Sequence, residues 1–148
     1  FLDLDDYIEE HEGMTIPKIF EEKGELYFRK KESFYVSKAL TENEEVILSL
    51  GGGTPCYGKN INDILEMTDK VFYLKLSVNG LTNRLFKEKN NRPLIKDLES
   101  EDLPEFIGKH LFERSVFYQK ANYTIDCDGK EPDSIVSEID KILNRLLI

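Results

Sequence analysis

Two carboxylates near the start of the chain have the type and spacing that metal or proton chemistry requires. After Phe1, residues 2–5 alternate apolar and acidic side chains, so a strand here would place Asp3 and Asp5 on one face. Carboxylates at the end of a parallel strand suit a metal ion, a substrate hydroxyl or proton transfer, because ligands bind at that edge of an α/β sheet. The alternative is that Asp5 or Asp6 caps a helix that runs to His11.

A second candidate is the stretch 45–65, where an apolar run, three glycines and a helical segment follow one another. The run from Val46 to Leu50 predicts a buried strand. Asn60 or Asn62 is expected to cap the helix behind the glycines. A strand, a glycine turn and a helix allow backbone amides to approach an anion or a polar ligand closely.

Gly53, Gly58 and Lys59 in this stretch have the spacing G-x-x-x-x-G-K of a Walker A phosphate loop. That motif needs Ser or Thr next, to bring a hydroxyl to Mg²⁺, but Asn60 stands there. Pro55 also removes one of the backbone N–H donors that would cradle a phosphate. The alternative interpretation is a surface turn with a solvated Lys59.

The arginines are candidates for anion recognition. Five of the 20 basic residues are arginines, whose planar forks bind carboxylates and phosphates with two hydrogen bonds. Surface salt bridges explain any single one of them equally well. They are Arg29, Arg84, Arg92, Arg114 and Arg145.

Composition limits the possible partners. The 148 residues carry a formal net charge of −9, which argues against binding to duplex nucleic acid or to an anionic membrane. No apolar run approaches the roughly 20 residues of a membrane span. Cys56 and Cys127 are far apart and lack metal-ligand spacing, as in a reduced cytoplasmic protein, and His11 and His110 are interpreted as surface residues.

The elements that must position these residues alternate between strands and helices, which predicts a parallel sheet with helices on its faces. The polar stretch 87–100 has little apolar periodicity and predicts a functional or mobile loop. Ser77 or Asn79 is expected to start one helix, and Thr15 to cap another. Besides the stretch 45–65, strands are predicted at 71–76 and 123–126 and helices at 16–23, 24–40, 103–121 and 133–147.

Five segments, taken in order, make the chain similar to the shikimate kinases, which are small P-loop phosphotransferases of aromatic amino acid biosynthesis. The similarity extends over nearly the whole chain. The segments are LDLD with Asp3 and Asp5, GELYFR at 24–29, LSLGGGTP at 48–55, the lid motif Arg92-Pro93-Leu94, and ERSVFY at 113–118.

The resemblance implies an α/β fold in three αβα layers, with a parallel sheet of the P-loop nucleoside-monophosphate-kinase type. It implies one domain over residues 1–148, with a lid at about 87–100. In that family the Walker A loop and the first, central strand precede the LDLD segment. Because the sequence begins at Phe1, we expect both to be missing from this chain, and we expect the 148 residues alone to show low stability and no ATP turnover.

The activity implied is transfer of the γ-phosphate of ATP to the 3-hydroxyl of shikimate, with Mg²⁺, by a cytoplasmic monomer. The alternative is a catalytically inactive binding module of the same fold that lacks the phosphate loop. Phosphoryl transfer needs positioning and charge stabilisation more than covalent chemistry, which agrees with the arginines and carboxylates named above.

The resemblance assigns the catalytic roles to Asp5 and Arg92. Asp5 would orient or help deprotonate the attacking hydroxyl, and Arg92 would swing over the transferring phosphate with the lid. Asp3 would lie near Mg²⁺, through water. Arg84 would flank the adenine of ATP.

The resemblance also assigns the shikimate site. Arg29 and Arg114 would clamp the carboxylate, and Glu32 would position Arg29. The other expected members are Gly51, Gly52 and Gly53 along the ring, and Phe20 and Phe28 in the lining of the pocket.

Overall fold

The computed structural model describes residues 1–92 and 94–148, so Pro93 of the expected lid motif lies outside the described residues. The chain forms two compact units, Phe1–Asp69 and Lys70–Ile148, called here the first and the second unit. The single domain expected over 1–148 stays a prediction. Over the two described ranges, no helix combines the length and the apolar character that crossing a membrane would need.

The first unit packs helices and a short parallel strand pair around an apolar core. β1 (Leu2–Asp3) pairs with β2 (Leu48–Ser49), with Leu2 opposite Leu48 and Asp3 opposite Ser49. The helices are α1 (Leu4–Glu12), α2 (Ile16–Lys23), α3 (Glu25–Glu42) and α4 (Asn60–Met67), with a 3₁₀ turn at Thr54–Cys56. Buried core side chains include Leu4, Ile8, Ile19, Phe28, Val36, Ala39, Ile61 and Ile64.

Gly24 separates α2 from α3, as the sequence predicted. Its φ of 85° lies in the left-handed region that favours glycine, and its N–H donates to the carbonyls of Ile19 and Phe20. α2 has the predicted bounds, and α3 extends past the predicted end to Glu42. Thr15 is the N-cap residue of α2, as predicted, although its side chain makes no cap hydrogen bond.

β2 is shorter and more exposed than the apolar run at 46–50 predicted. Its pairing with β1 covers Leu48–Ser49 alone, and the Ile47 side chain is 69% exposed. The reason is that α1 begins at Leu4, which leaves β1 only two residues long. The prediction of a buried strand through the whole run is therefore wrong.

The second unit also contains a parallel strand pair. Phe72 lies opposite Tyr123 and Lys75 opposite Asp126, so the parallel pairing predicted from the sequence is confirmed in both described pairs. Ser77, one of the two predicted starts of a helix, accepts a hydrogen bond from the Gly80 N–H at 3.0 Å as the N-cap of α5. The elements are β3 (Phe72–Lys75), α5 (Val78–Glu88), a 3₁₀ turn at Lys89–Asn91, α6 (Leu103–Tyr118), β4 (Tyr123–Asp126) and α7 (Pro132–Leu146).

The polar stretch 87–100 contributes apolar side chains to the core of the second unit. Ile95 is 4% exposed and forms a buried cluster with Leu103 and Ile107 of α6. Leu98 packs against the same cluster. A stretch with little apolar periodicity thus still contributes to a core, because Ile95 and Leu98 both pack there.

Candidate active site

Asp3 and Asp5 lie at the junction of β1 and α1, not on one face of a strand as the sequence predicted. β1 ends at Asp3 and α1 begins at Leu4, so Asp5 is in the first helical turn. The Asp3 Oδ1 accepts hydrogen bonds from the backbone N–H groups of Asp5 at 2.9 Å and Asp6 at 3.3 Å. Asp3 is therefore the N-cap, and the prediction that Asp5 or Asp6 caps the helix is wrong. The cap allows the helix to start at once, because it satisfies two of the amides that a helix end leaves without partners.

The Asp5 carboxyl group is partly buried among other carboxylates. Burial, followed by the charges of Asp3 and Glu32, raises its pKa. A carboxylate with a raised pKa holds a proton more firmly and accepts one more readily near neutral pH. Asp5 is thus suited to hold a hydroxyl group and to take its proton.

Arg29 is held by a buried carboxylate on its own helix. Its Nη1 donates to Glu32 Oε1 at 2.8 Å, and its Nε lies 4.0 Å from the more exposed Glu25. The guanidinium also lies over the ring of Phe28, 5.4 Å from its centre. Because Glu32 is only 2% exposed, the ion pair has little screening by solvent and fixes the direction of the Arg29 side chain.

The glycine turn brings Asp5 and Arg29 to the same short segment. An ideal Cβ on Gly51 would lie 3.7 Å from Asp5 Oδ1, and one on Gly53 would lie 2.8 Å from both Nη atoms of Arg29. Gly51 and Gly53 have negative φ, so these two glycines serve close approach and not an unusual backbone conformation. Gly52, between them, is exposed. A carboxylate and a guanidinium therefore flank one turn whose backbone can be approached by a ligand.

Thr54, Asn60 and Ser33 take part in the site although the sequence did not single them out for it. The buried Thr54 hydroxyl donates to Glu32 Oε2 at 2.8 Å. Asn60 Nδ2 donates to the Thr54 carbonyl at 2.9 Å, and Ser33 Oγ donates to Asn60 Oδ1 at 2.7 Å. Asn60 is the first residue of α4 and makes no side-chain cap bond, so the predicted asparagine cap is wrong.

Phe20 and Phe28 are in contact with each other. Their ring centres lie 4.8 Å apart, and Phe28 is 5% exposed whereas Phe20 is 37% exposed. The Arg29 guanidinium also lies over the Phe28 ring. The position of Phe28 agrees with a pocket wall beside Arg29, and the pocket itself stays a prediction.

Lys59 behaves as a surface lysine. Its side chain is 82% exposed and lies 3.9 Å from Asp63 one helical turn away. Pro55 belongs to the 3₁₀ turn that follows the glycines. The Walker-like spacing from Gly53 to Lys59 therefore does not form a phosphate loop around a directed lysine.

The other three arginines to which the family resemblance assigns a role belong to the second unit. Arg84 is exposed on α5. Arg92, also exposed, donates through Nη2 to Glu88 Oε2 at 3.0 Å. Arg114 lies partly buried on α6, one turn after His110. The roles of Arg84 toward adenine, of Arg92 toward the transferring phosphate and of Arg114 toward the shikimate carboxylate stay predictions.

The two histidines are more involved in packing than the sequence indicated. His11 is exposed, but its ring lies 4.2 Å from that of Tyr7. His110 is half-buried and stacked on Phe106 at 4.8 Å. Burial, and then the charge of Arg114, lowers the pKa of His110, which favours the neutral ring. Interpreting His110 as a plain surface residue is wrong.

Comparison with known proteins supplies the family context. A family model described as "Shikimate kinase" matches residues 1–144. The shikimate kinase of Flavobacterium psychrophilum is 49% identical over 144 residues, which cover 97% of this chain and 83% of that protein. The shikimate kinase of Flavobacterium johnsoniae is 44% identical with the same coverage.

Solved structures agree with these sequence matches. The shikimate kinase crystal structure from Bacteroides thetaiotaomicron has a TM-score of 0.85 and 32% identity, covering 100% of this chain and 84% of its own. A structure of the Acinetobacter baumannii shikimate kinase in complex with shikimate has a TM-score of 0.73 and 32% identity. The match covers 99% of this chain and 78% of that chain. The predicted α/β fold of P-loop kinase type is thereby confirmed.

Proposed function

The chain belongs to the shikimate kinase family, and we propose that it transfers the γ-phosphate of ATP to the 3-hydroxyl of shikimate at the glycine turn of the first unit. The observation that carries this proposal is the pair of groups beside that turn. Asp5 Oδ1 lies near Gly51, and the Arg29 guanidinium lies against Gly53. A hydroxylated ring acid needs one acceptor for its hydroxyl and one cation for its carboxylate, and the turn has one of each.

Arg29 is the proposed partner of the shikimate carboxylate. Its charge is held in direction by the buried Glu32, with 2.8 Å between Nη1 and Oε1. A guanidinium that is already oriented loses little freedom when it binds, and its remaining N–H groups can still donate to an oxyanion. The absence of a side chain at Gly53 leaves room for that guanidinium against the turn.

Asp5 is the proposed acceptor for the attacking hydroxyl. Phosphoryl transfer proceeds in line, and the enzyme contributes by positioning the hydroxyl and accepting its proton. The raised pKa of Asp5, caused first by burial and then by neighbouring carboxylates, supports both tasks. The proton moves from the 3-hydroxyl to an Asp5 oxygen while the γ-phosphate moves to the hydroxyl oxygen and ADP leaves.

Asp3 is the proposed contact for Mg²⁺, through water. Mg²⁺ prefers oxygen ligands, keeps several waters, and is held in kinases by one or two carboxylates together with substrate phosphates. Asp3 fits such a site because it is a carboxylate beside Asp5, and because its Oδ1 already accepts two backbone hydrogen bonds that fix it. When bound, the ion neutralises charge on the phosphates of ATP.

Arginines of the second unit are proposed for the rest of the reaction. Arg92 would stabilise the charge of the transferring phosphate, and for that it must leave Glu88 or share its fork with it. Arg84 would flank the adenine, and Arg114 would be the second cation for the carboxylate. We propose the enzyme to be a cytoplasmic monomer without nucleic-acid or membrane partners.

A steady-state assay on the natural protein that carries this sequence tests the proposal. ATP, Mg²⁺ and shikimate should give ADP and 3-phosphoshikimate, identified by ³¹P NMR. Arg29→Ala should raise the KM for shikimate by about 30-fold or more. The substitution removes the proposed partner of the shikimate carboxylate, and losing one partner of a buried charge pair costs at least about 2 kcal/mol. Lys30→Ala, which removes an exposed positive charge at the next position, is the matched control and should leave KM unchanged. An unaltered KM in Arg29→Ala would contradict the proposed carboxylate site.

A further inference from the structure

Both oxygens of the buried Glu32 carboxylate have a defined donor. Oε1 accepts from the Arg29 guanidinium at 2.8 Å, and Oε2 accepts from the Thr54 hydroxyl at 2.8 Å. Glu32 is 2% exposed and Thr54 is 0% exposed. Water therefore has little access to this contact, and the orientation of the carboxylate depends on its two protein donors.

Thr54 is itself fixed by a chain of hydrogen bonds that returns to α3. Its carbonyl accepts from Asn60 Nδ2 at 2.9 Å, and Asn60 Oδ1 accepts from Ser33 Oγ at 2.7 Å. Ser33 Oγ also lies 3.1 Å from the Arg29 carbonyl, within hydrogen-bond distance. The chain of contacts thus starts and ends at Arg29, and it connects the glycine turn and the start of α4 to the helix that carries the arginine.

We propose that Thr54, held by Asn60 and Ser33, is a positioning residue that gives the site its selectivity for a substrate carboxylate. It does so through Glu32, whose orientation directs the Arg29 guanidinium. The inference rests on the proposed role of Arg29 toward the shikimate carboxylate. It adds Thr54, which would not touch the substrate and would act through Glu32 and Arg29.

The geometry explains why the hydroxyl matters more than the shape of the side chain. Without it, Oε2 of a buried carboxylate lacks its donor, and the carboxylate turns to regain one. Arg29 already donates to the other oxygen of Glu32, so its guanidinium can serve both carboxylate oxygens as a fork. A guanidinium held in that way has fewer N–H groups directed at a ligand.

The test compares shikimate with its methyl ester, which keeps the ring and hydroxyls but has no negative charge. Binding of each is measured by calorimetry in the natural protein. Thr54→Val should weaken shikimate binding by about tenfold, as loss of one charge-assisted hydrogen bond implies, and should change ester binding by less than about twofold. Thr54→Ser restores the hydroxyl and should recover most of the loss. Thr41→Val, which removes a threonine hydroxyl that bonds within α3 itself, is the control and should alter neither ligand.

The kinetic readout separates positioning from general damage. Thr54→Val should raise the KM for shikimate and leave kcat near its wild-type value, because Asp5 is untouched. The inference would be overturned if Thr54→Val left the ratio of shikimate affinity to ester affinity unchanged. It would also be overturned if Thr54→Ser did not recover shikimate binding. If Thr54→Val does not fold, Ser33→Ala provides the test instead. Loss of the hydrogen bond to Asn60 should lower the ratio of shikimate affinity to ester affinity by about two- to threefold, and an unchanged ratio would overturn the inference.

Arg29→Ala distinguishes this inference from the function on which it rests. In that variant the preference for shikimate over the ester should fall by about 30-fold or more, because Arg114 alone would remain as a cation for the carboxylate. If the preference is unchanged, the proposed role of Arg29 is wrong. If it falls there but stays intact in Thr54→Val, only the role of Thr54 is wrong.

Discussion

At the scale of single residues, Asp5 combines two properties that oppose each other. It lies in the first turn of α1, where a negative charge is favoured by the helix dipole, yet it is partly buried beside Asp3 and Glu32. The net effect of burial and of the carboxylates is a raised pKa. A carboxyl group whose pKa is raised by burial and neighbouring charges is a candidate for a catalytic acid or base.

This gives a prediction for Asp5→Asn in the natural protein. The kcat should fall by about 10² to 10⁴, the usual contribution of a positioned proton acceptor, while shikimate still binds. Rapid-quench measurement of product formation, together with calorimetric titration of shikimate, checks both parts. Wild-type kcat in this variant would refute the catalytic role.

The same substitution has a pH-dependent effect on stability. A folded-state pKa raised above the ordinary aspartate value of 3.8 favours the folded state below pH 3.8. That contribution is lost as the pH rises through the folded-state pKa, because the folded protein then gives up a proton that it holds more firmly than the unfolded chain does. The stability of Asp5→Asn relative to wild type should therefore increase from pH 4 to pH 7 in guanidinium denaturation. A relative stability that falls over this range would mean that the pKa of Asp5 is lowered.

Residue types could be read from the sequence more reliably than residue positions. The LDLD segment indicated Asp3 and Asp5 as candidates, but its alternation predicted a strand where α1 already begins. A cap is decided by one side-chain hydrogen bond, and four residues of alternation are too few to indicate whether it forms. Thr54 was missed because its hydroxyl acts on Glu32, 22 positions earlier.

At the scale of elements, the glycine turn connects β2 to α4 and lies close to both Asp5 and Arg29. Gly53 has φ −84° and ψ −18°, a conformation open to any residue. Its lack of a side chain is required by the Arg29 guanidinium, 2.8 Å from where a Cβ would stand. The guanidinium is the far end of a flexible side chain, so it can yield without disturbing the fold.

Gly53→Ala should therefore affect binding more than stability. We expect shikimate affinity to fall by about tenfold, with the midpoint of denaturation little changed, because the displaced group is Arg29 and not the backbone. The control is Gly108→Ala in α6, where a Cβ meets nothing within 4 Å. It should stabilise the helix by about 0.5–1 kcal/mol and leave affinity unaltered. Full affinity in Gly53→Ala would show that Arg29 does not need its observed position.

Element boundaries were predicted well where a local signal exists and poorly where the decision is tertiary. Gly24 and Ser77 mark the predicted helix limits, because a left-handed glycine and a serine cap act within a few residues. Asn60 was predicted as a cap, but Ser33 and Thr54 engage its side chain instead. Ser33 is 27 positions away, which no local pattern can indicate.

At the scale of the whole molecule, an acidic protein is proposed to bind an anionic substrate. The net charge of −9 repels anions at long range, so recognition must depend on local cations whose direction is fixed. Arg29 in the first unit meets that requirement through Glu32 and Thr54. The family resemblance stated from five sequence segments is confirmed by the match over residues 1–144.

The most direct test is a crystal structure of the natural protein with shikimate bound. A shikimate carboxylate oxygen should lie about 3 Å from an Arg29 guanidinium nitrogen, and a ring hydroxyl at about the same distance from Asp5. The Arg29–Glu32–Thr54 contacts should persist in the complex. A ring bound away from the glycine turn, or a carboxylate that makes no contact with Arg29, would contradict the proposed shikimate site.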